Sequence, residues 1–199
     1  MKNVAEHEPK MRILLAAKKL FAERGFDGTS VRQICELAGV NVALVSYYFG
    51  GKEKMFDALF EHFYPVGALE QYEETFKDPV AGLSLIIREV IRYRWEQPEM
   101  AMIMQREIYL ESPRRETIKT YVFPVWRKLR EILELGKKQG VFHYRSLDNT
   151  MLFILATLVF PRGNPFHQPL LTEKLVTVEE QVEDTIRFVF GGLGCPLES

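Results

Sequence analysis

The sequence predicts an all-α protein, with an N-terminal three-helix domain built on a helix-turn-helix and a C-terminal helical body, about nine helices in all. Three observations carry that expectation. Apolar residues recur at spacings of three and four along most of the chain, which is the period of a helix with one buried face. Glycines and prolines fall between those segments, where they stop and start helices. No stretch alternates apolar and polar residues for long enough to make a convincing strand. The chain is 199 residues long and 47% apolar, enough to bury a sizeable core, and it is read as two domains, residues 1–54 and 55–199.

Residues 1–8 are polar and charged and read as a frayed tail. Pro9 suits the first position of a helix, Ile13, Ala17, Leu20 and Phe21 share one face, and Gly25 stops the element after Arg24. Thr29 or Ser30 caps the second helix, in which Val31, Ile34, Cys35 and Ala38 form an apolar stripe. Ala38-Gly39-Val40 is a turn, with Gly39 suited to a left-handed backbone. Asn41 caps a third helix, Val42 to Phe49, that turns Val45 and Phe49 inward and Val42, Ala43, Ser46, Tyr47 and Tyr48 outward. Lys52 opens a fourth helix to about Tyr64, with Met55, Leu59 and Phe63 facing in; it is the expected mechanical link to the body.

Residues 65–77 read as a loop with a short helix. Helices follow from Pro79 to about Glu96 and from Pro98 to Leu110. Ser112-Pro113 starts a long helix to about Gln139, and Pro124 inside it is expected to kink or split it. After a turn at Gly140 to His143, Ser146 caps a helix from Leu147 to Phe160 that is apolar almost all round, the pattern of a helix buried on most sides. Residues 161–176, with Pro161, Pro165 and Pro169, read as a long loop. Thr177-Val-Glu-Glu180 is a capping box opening a last helix to about Phe190, with Val178, Val182, Thr185, Ile186 and Val189 on one face. The last two helices carry more apolar surface than a small body hides, which predicts a four-helix contact between two copies of the chain.

The chemistry sits in residues 29–54. Two short helices joined at a glycine turn can place the second in a DNA major groove. Val42 and Ala43 are small enough to let the backbone approach base edges and touch a thymine methyl. Ser46, Tyr47 and Tyr48 offer hydroxyls to phosphates or bases, with Thr29, Ser30 and Asn41 at the helix starts. Lys52, after Gly50-Gly51, joins a cation to a helix N-terminus, a pairing that holds phosphate. Arg32 reaches either a phosphate or guanine edge, or only solvent. From Pro9 to Lys54 there are eight Lys/Arg and four acids, +4 in all, which leaves about −5 on the rest of a chain of net charge −1. A basic segment on an acidic remainder fits a nucleic-acid binder, although an ordinary mixed surface gives the same count.

Enzyme motifs are missing: there is no glycine-rich phosphate loop, no G-x-S-x-G and no H-E-x-x-H, so no catalytic residue, metal ligand or cofactor is expected. Cys35 and Cys195 are too far apart in sequence and context to suggest a disulfide or a metal site, which fits a reducing cytoplasm. No signal peptide is read at the N-terminus, and the longest apolar run, residues 151–160, is too short to span a bilayer, so no membrane partner is expected. Tyr93, Met100, Met104, Phe123, Trp126 and Phe153 are candidates for an adaptable apolar pocket, with Glu107 as a carboxylate for a cationic ligand; ordinary core packing explains each of them equally well alone.

Residues 12–55 resemble the DNA-binding domain of the TetR family of bacterial repressors. The likeness rests on Ile13-Leu14, Ala16-Ala17, Leu20-Phe21, Gly25-Phe26, Thr29-Ser30, Ile34, Ala38-Gly39-Val40, Tyr48-Phe49 and Lys52-Glu53. The family usually has tyrosine where this chain has Ser46; Tyr47 and Tyr48 are the neighbouring hydroxyls. The turn from Gly140 to Tyr144 and the helix after it resemble one branch of the same family. The resemblance implies a homodimer formed through the last two helices, a palindromic operator in double-stranded DNA, and release by a small-molecule effector that is apolar or amphipathic. A repressor with no ligand, and a dimeric small-molecule carrier without DNA regulation, are the competing expectations. Salt-dependent binding to duplex DNA separates the carrier from the regulators.

Overall fold

A computed structural model describes residues 8–65, 67, 69–160, 166–173 and 176–195. Among the described residues every regular element is helical. There are nine α-helices: α1 Pro9–Arg24, α2 Val31–Ala38, α3 Ala43–Phe49, α4 Lys52–Phe63, α5 Pro79–Glu96, α6 Pro98–Tyr109, α7 Arg115–Lys138, α8 Leu147–Val159 and α9 Val178–Gly192. The tail expected over residues 1–8 lies outside the described residues apart from Glu8, and so do residues 161–165 and 174–175 of the loop expected over 161–176. Within that loop Gln168–Leu170 makes one 3-10 turn, and Glu70–Tyr72 and Thr75–Lys77 make two more in the segment read as loop and short helix. No helix among the described residues is long and apolar enough to cross a membrane.

The chain packs as two compact units, Met1–Gly67 with Gln97–Phe123, and Ala68–Glu96 with Pro124–Ser199. The unit holding the helix-turn-helix therefore runs past residue 54 and takes in α4, α6 and the first part of α7.

In the first unit α1 touches α2, α3, α4 and α6. Ile13, Ala17, Phe21, Ile34, Val45, Met55, Phe56, Leu59 and Phe60 are each at most 1% exposed. The aromatic rings run in sequence through this core: Phe21 lies 5.1 Å from Phe26, Phe26 meets Phe56 edge-on at 5.7 Å, Phe56 lies 5.3 Å from Phe60, and Phe60 lies 5.5 Å from Tyr121 of α7. Each such ring contributes about 1.5–3 kcal/mol through its burial. The ends of α1 and α2 are closed as the sequence indicates. Gly25 (φ 78°) donates its N–H to Phe21 O, and Gly39 (φ 65°) closes α2 in the left-handed region.

In the second unit α5 packs against α9 and α8. Leu83, Ile87, Ile91, Leu129, Leu133, Phe142, Ile154, Leu158, Val182 and Phe190 form its core. Gly136 lets the chain fold back on α7: Val141 and Phe142 both donate N–H to Gly136 O, at 2.9 and 3.1 Å, and the Phe142 ring lies against the bare Cα and edge-on to Phe190 at 5.8 Å. Ser146 and Thr177 cap α8 and α9, the latter with the reciprocal Glu180 bond of a capping box.

One sequence expectation narrows and one changes. Of the kink or split expected at Pro124, the split does not occur: the long helix runs as one element from Arg115 to Lys138. A proline removes one N–H, a single rung among about twenty in a helix of this length, and the flanking turns carry the element through. Nor is α8 buried on most sides. Only Ile154 and Leu158 are buried, whereas Leu152, Phe153, Val159 and Phe160 are 62%, 72%, 39% and 54% exposed. An apolar residue in sequence reports that a surface wants cover, not whether the same chain supplies it.

Candidate nucleic-acid interface

The turn before α2 decides between the two cap candidates. Ser30 Oγ accepts the Gln33 N–H while Gln33 Oε1 accepts the Ser30 N–H at 2.8 Å, a reciprocal box. Thr29 faces the other way. It is 2% exposed, and its hydroxyl donates to Gly25 O at 2.8 Å and lies 3.2 Å from Leu20 O. As a DNA-contacting side chain Thr29 is withdrawn: its hydroxyl ties the α1 terminus to the turn, and no oxygen of it faces solvent.

α3 begins one residue later than its apolar pattern suggests. Val42 is the residue before the helix, and Asn41 Oδ1 accepts the Ala43 N–H at 2.8 Å, so the asparagine still supplies the capping acceptor. Val45 and Phe49 seat the helix, at 1% and 9% exposure. That seating turns Asn41, Val42, Ala43, Ser46 and Tyr47 outward as one exposed face. Tyr47 is 79% exposed and meets the half-buried Tyr48 edge-on at 5.0 Å. Ser30 and Arg32 are exposed on the neighbouring α2. Gly50 (φ 74°) and Gly51 (φ 141°) reverse the chain into α4 with open space where a Cβ would stand.

Lys52, the first residue of α4, is half-buried with its ammonium 4.1 Å from the centre of the Phe26 ring. Burial pushes its pKa below the ordinary lysine value; Arg114 adds to that, while Asp27, Glu53 and Glu107 oppose it. The cation is thus held at the edge of the face by an aromatic ring rather than left on a free stem.

Three basic side chains that sequence patterns do not single out fasten this unit. Lys18 is buried; its Nζ donates to Gln97 Oε1 at 3.1 Å, lies 3.7 Å from Glu99 and sits 4.2 Å over Phe63. Arg106 of α6 points Nη1 at Phe21 O, which already accepts from Gly25, and at Ala22 O, both in the last turn of α1, at 3.5 and 3.4 Å. Arg114 joins Glu107 to Asp27 and Glu53. All of their partners but Glu107, seven residues before Arg114, are many residues away, so no local spacing signals the three together.

The pocket candidates are not gathered in one unit. Met100, Met104, Glu107 and Phe123 belong to the first unit, Tyr93, Trp126 and Phe153 to the second. Met100 is wholly buried and Phe153 stands on the exposed side of α8. Glu107 is 2% exposed and already satisfied, accepting from Ser112 Oγ and from Arg114 Nε at 2.8 Å. An anion neutralised by an internal guanidinium is a poor receptor for a second cation, so Glu107 is a structural partner here.

Residues 13–59 match the family model for bacterial regulatory proteins of the tetR family. Over 166 residues the chain is 30% identical to the probable HTH-type transcriptional regulator YttP of Bacillus subtilis, covering 78% of each protein. It is 31% identical over 155 residues to the HTH-type transcriptional repressor NicS of Pseudomonas putida, covering 74% of this chain and 72% of that one. Among solved structures it is similar to HlyIIR, a haemolysin II transcriptional regulator, at 33% identity and a TM-score of 0.70, over 92% of this chain and 98% of that one. The exposed face of α3, its capped supporting helix and these relatives agree: the chain belongs to the TetR family and is a DNA-binding transcriptional regulator.

Proposed function

We propose that the chain is a homodimeric repressor that binds a palindromic operator, one α3 in each of two successive major grooves, and that a small apolar or amphipathic effector releases it. One observation carries the DNA half of this reading: α3 is seated by Val45 and Phe49 so that Asn41, Val42, Ala43, Ser46 and Tyr47 share one solvent-facing surface. The surface has small residues where a backbone must approach bases and hydroxyls where phosphates pass. Ser30, Arg32, Tyr48 and Lys52 flank it. The working set of contacts is therefore Ser30, Arg32, Asn41, Val42, Ala43, Ser46, Tyr47, Tyr48 and Lys52.

Dimerisation through α8 and α9 is supported by an outward apolar stripe. Leu152, Phe153, Val159 and Phe160 recur at helical spacing on α8, and Phe188 of α9 is 72% exposed beside Gly191 and Gly192, whose Cα atoms face open space. Covering such a stripe with its symmetry mate is the ordinary solution. Residues 1–54 then serve as the DNA-binding part, and 55–199 as the part that dimerises and takes the effector, with Tyr93 and Trp126 the pocket candidates that share the second unit. α4 carries the signal: Asp57 Oδ1 accepts from Thr117 Oγ1 of α7 at 2.8 Å and Phe60 stacks near Tyr121, so a shift of α7 moves α4. The effector must prefer the released spacing, since equal affinity for both states shifts nothing. The proposed setting is the cytoplasm, where Cys35 and Cys195, both buried and free, stay reduced.

The test is selection of bound sites from a random-sequence duplex pool, followed by gel shift against salt concentration. The expected result is a two-fold symmetric site bound with a steep salt dependence. A dimeric chain that retains no duplex in dilute buffer overturns the reading in favour of a carrier without DNA regulation.

A further inference from the structure

Arg114 is the last residue of the α6–α7 turn, and its side chain is 10% exposed. Nε donates to Glu107 Oε2 on α6 at 2.8 Å. Nη2 reaches Asp27 Oδ2 in the α1–α2 loop at 3.2 Å, and Nη1 lies 3.5 Å from Glu53 Oε1 in the first turn of α4. The guanidinium carbon stands 3.9 Å from the centre of the Phe26 ring, the same ring that holds Lys52. Every guanidinium nitrogen faces a carboxylate, and the carboxylates come from three separate segments. Glu111, at φ 49°, turns the chain so that Ser112 bonds Glu107 and Arg114 enters the cluster.

The three ion pairs do different things. Glu107 is 3% exposed at its side chain, so its pair with Arg114 is internal, and removing either partner would strand a buried charge. Asp27 and Glu53 are 81% and 67% exposed, and pairs of that kind contribute little to stability. What they add is direction. The inner pair fixes the guanidinium on α6; the outer two hold the loop before α2 and the start of α4, which together frame the DNA-facing α3.

We propose that Arg114 is a positioning residue for operator binding, a latch that holds the helix-turn-helix at the angle needed for both halves of a dimer to engage one operator at once. This rests on the reading of the chain as a dimeric operator binder. A single half-site is indifferent to the angle, because the whole protein can turn to present one module to it. A full palindrome is not, because the second module binds as an intramolecular step and gains only if its geometry is already set.

The experiment measures dissociation constants of the full-length protein for the selected palindrome and for a duplex keeping one half-site with the other scrambled. The double variant Asp27→Asn/Glu53→Gln leaves the internal Glu107 pair in place, so it keeps the thermal midpoint of the wild type. Its advantage for the full site over the half-site should fall about tenfold, from the 10²–10⁴ that linked sites can give. Arg114→Lys should fall similarly, because one ammonium does not present three planar donors to three carboxylates. A full-to-half ratio within about twofold of the wild type in both proteins overturns the latch, as does an equal loss on both duplexes, which marks a merely structural contact. Wild-type protein that retains no duplex sinks the DNA reading itself, and the latch with it.

Discussion

Gly136→Ala in α7 tests the packing that closes the second unit. A Cβ built on Gly136 would lie 2.5 Å from Phe142 Cε2 and 2.7 Å from Cγ, where ordinary contact begins at 3.4 Å. The ring must therefore retreat by about 1 Å, and a well-packed core resists such an insertion by roughly 1–3 kcal/mol. Retreat is hindered on two sides. Phe142 is 1% exposed and abuts the wholly buried Phe190, and the N–H groups of Val141 and Phe142 are both bonded to Gly136 O, which draws the turn onto the helix. Against this, alanine is better than glycine in a helix interior by about 1 kcal/mol. The clash outweighs that gain over most of its range, with a net loss of up to about 2 kcal/mol. Urea unfolding at one fixed protein concentration reads it as a lower midpoint with an unchanged slope. Gly136→Ala combined with Phe142→Leu should lose less than the two single losses added, because the smaller side chain makes room for the methyl. A midpoint for Gly136→Ala equal to or above wild type would refute the argument, since propensity alone would then govern the site.

Four further outcomes are expected. Lys52→Ala should weaken binding to all duplexes and lower the salt slope by about two for a dimer, one phosphate per protomer; an unchanged slope would remove Lys52 from the contacts. Tyr47→Ala, at an exposed position, should change stability by less than about 0.5 kcal/mol while altering the selected DNA sequence; the same consensus site from both proteins would count against a base-reading role. Phe153→Glu should make the protein monomeric at micromolar concentration by light scattering, and a dimer that persists would move the seam off α8. Burial raises the Tyr64 phenol from its ordinary 10.0 to about 12. The folded chain then keeps a proton that the unfolded chain gives up, so stability holds below pH 10 and falls as pH rises toward 12. Tyr64→Phe should flatten that fall, and parallel curves for the two proteins would contradict it.

Much of the fold was legible because its signals are local. The Thr177–Glu180 box needs only residues three apart, and Gly25 and Gly39 mark helix ends by what glycine alone adopts cheaply. The outward face of α3 followed from Val45 and Phe49 being four apart and inward. The choice between Thr29 and Ser30 was not legible, because both can cap and only the distant carbonyls of Leu20 and Gly25 take one of them out of contention. Arg114 was invisible for the same reason: its Asp27 partner is 87 residues away. Glu107 looked like a receptor for a cation because its own cation lies beyond the helix that carries it. The apolar surround of α8 was read as burial, since composition cannot tell a core from an exposed apolar face.

The clasp of Arg106 on the last carbonyls of α1, with Lys18 reaching Gln97, has a bearing on how the protein is made and studied. A fragment ending at residue 54 would keep the glycine and threonine closure of its first rod but lose the arginine across that tip, and would leave a lysine stranded against missing company. During synthesis the reading head stays unfinished until some fifty later residues have emerged. A detached cassette of this head is therefore the wrong reagent for footprinting, and the shortest honest one ends beyond the start of α7.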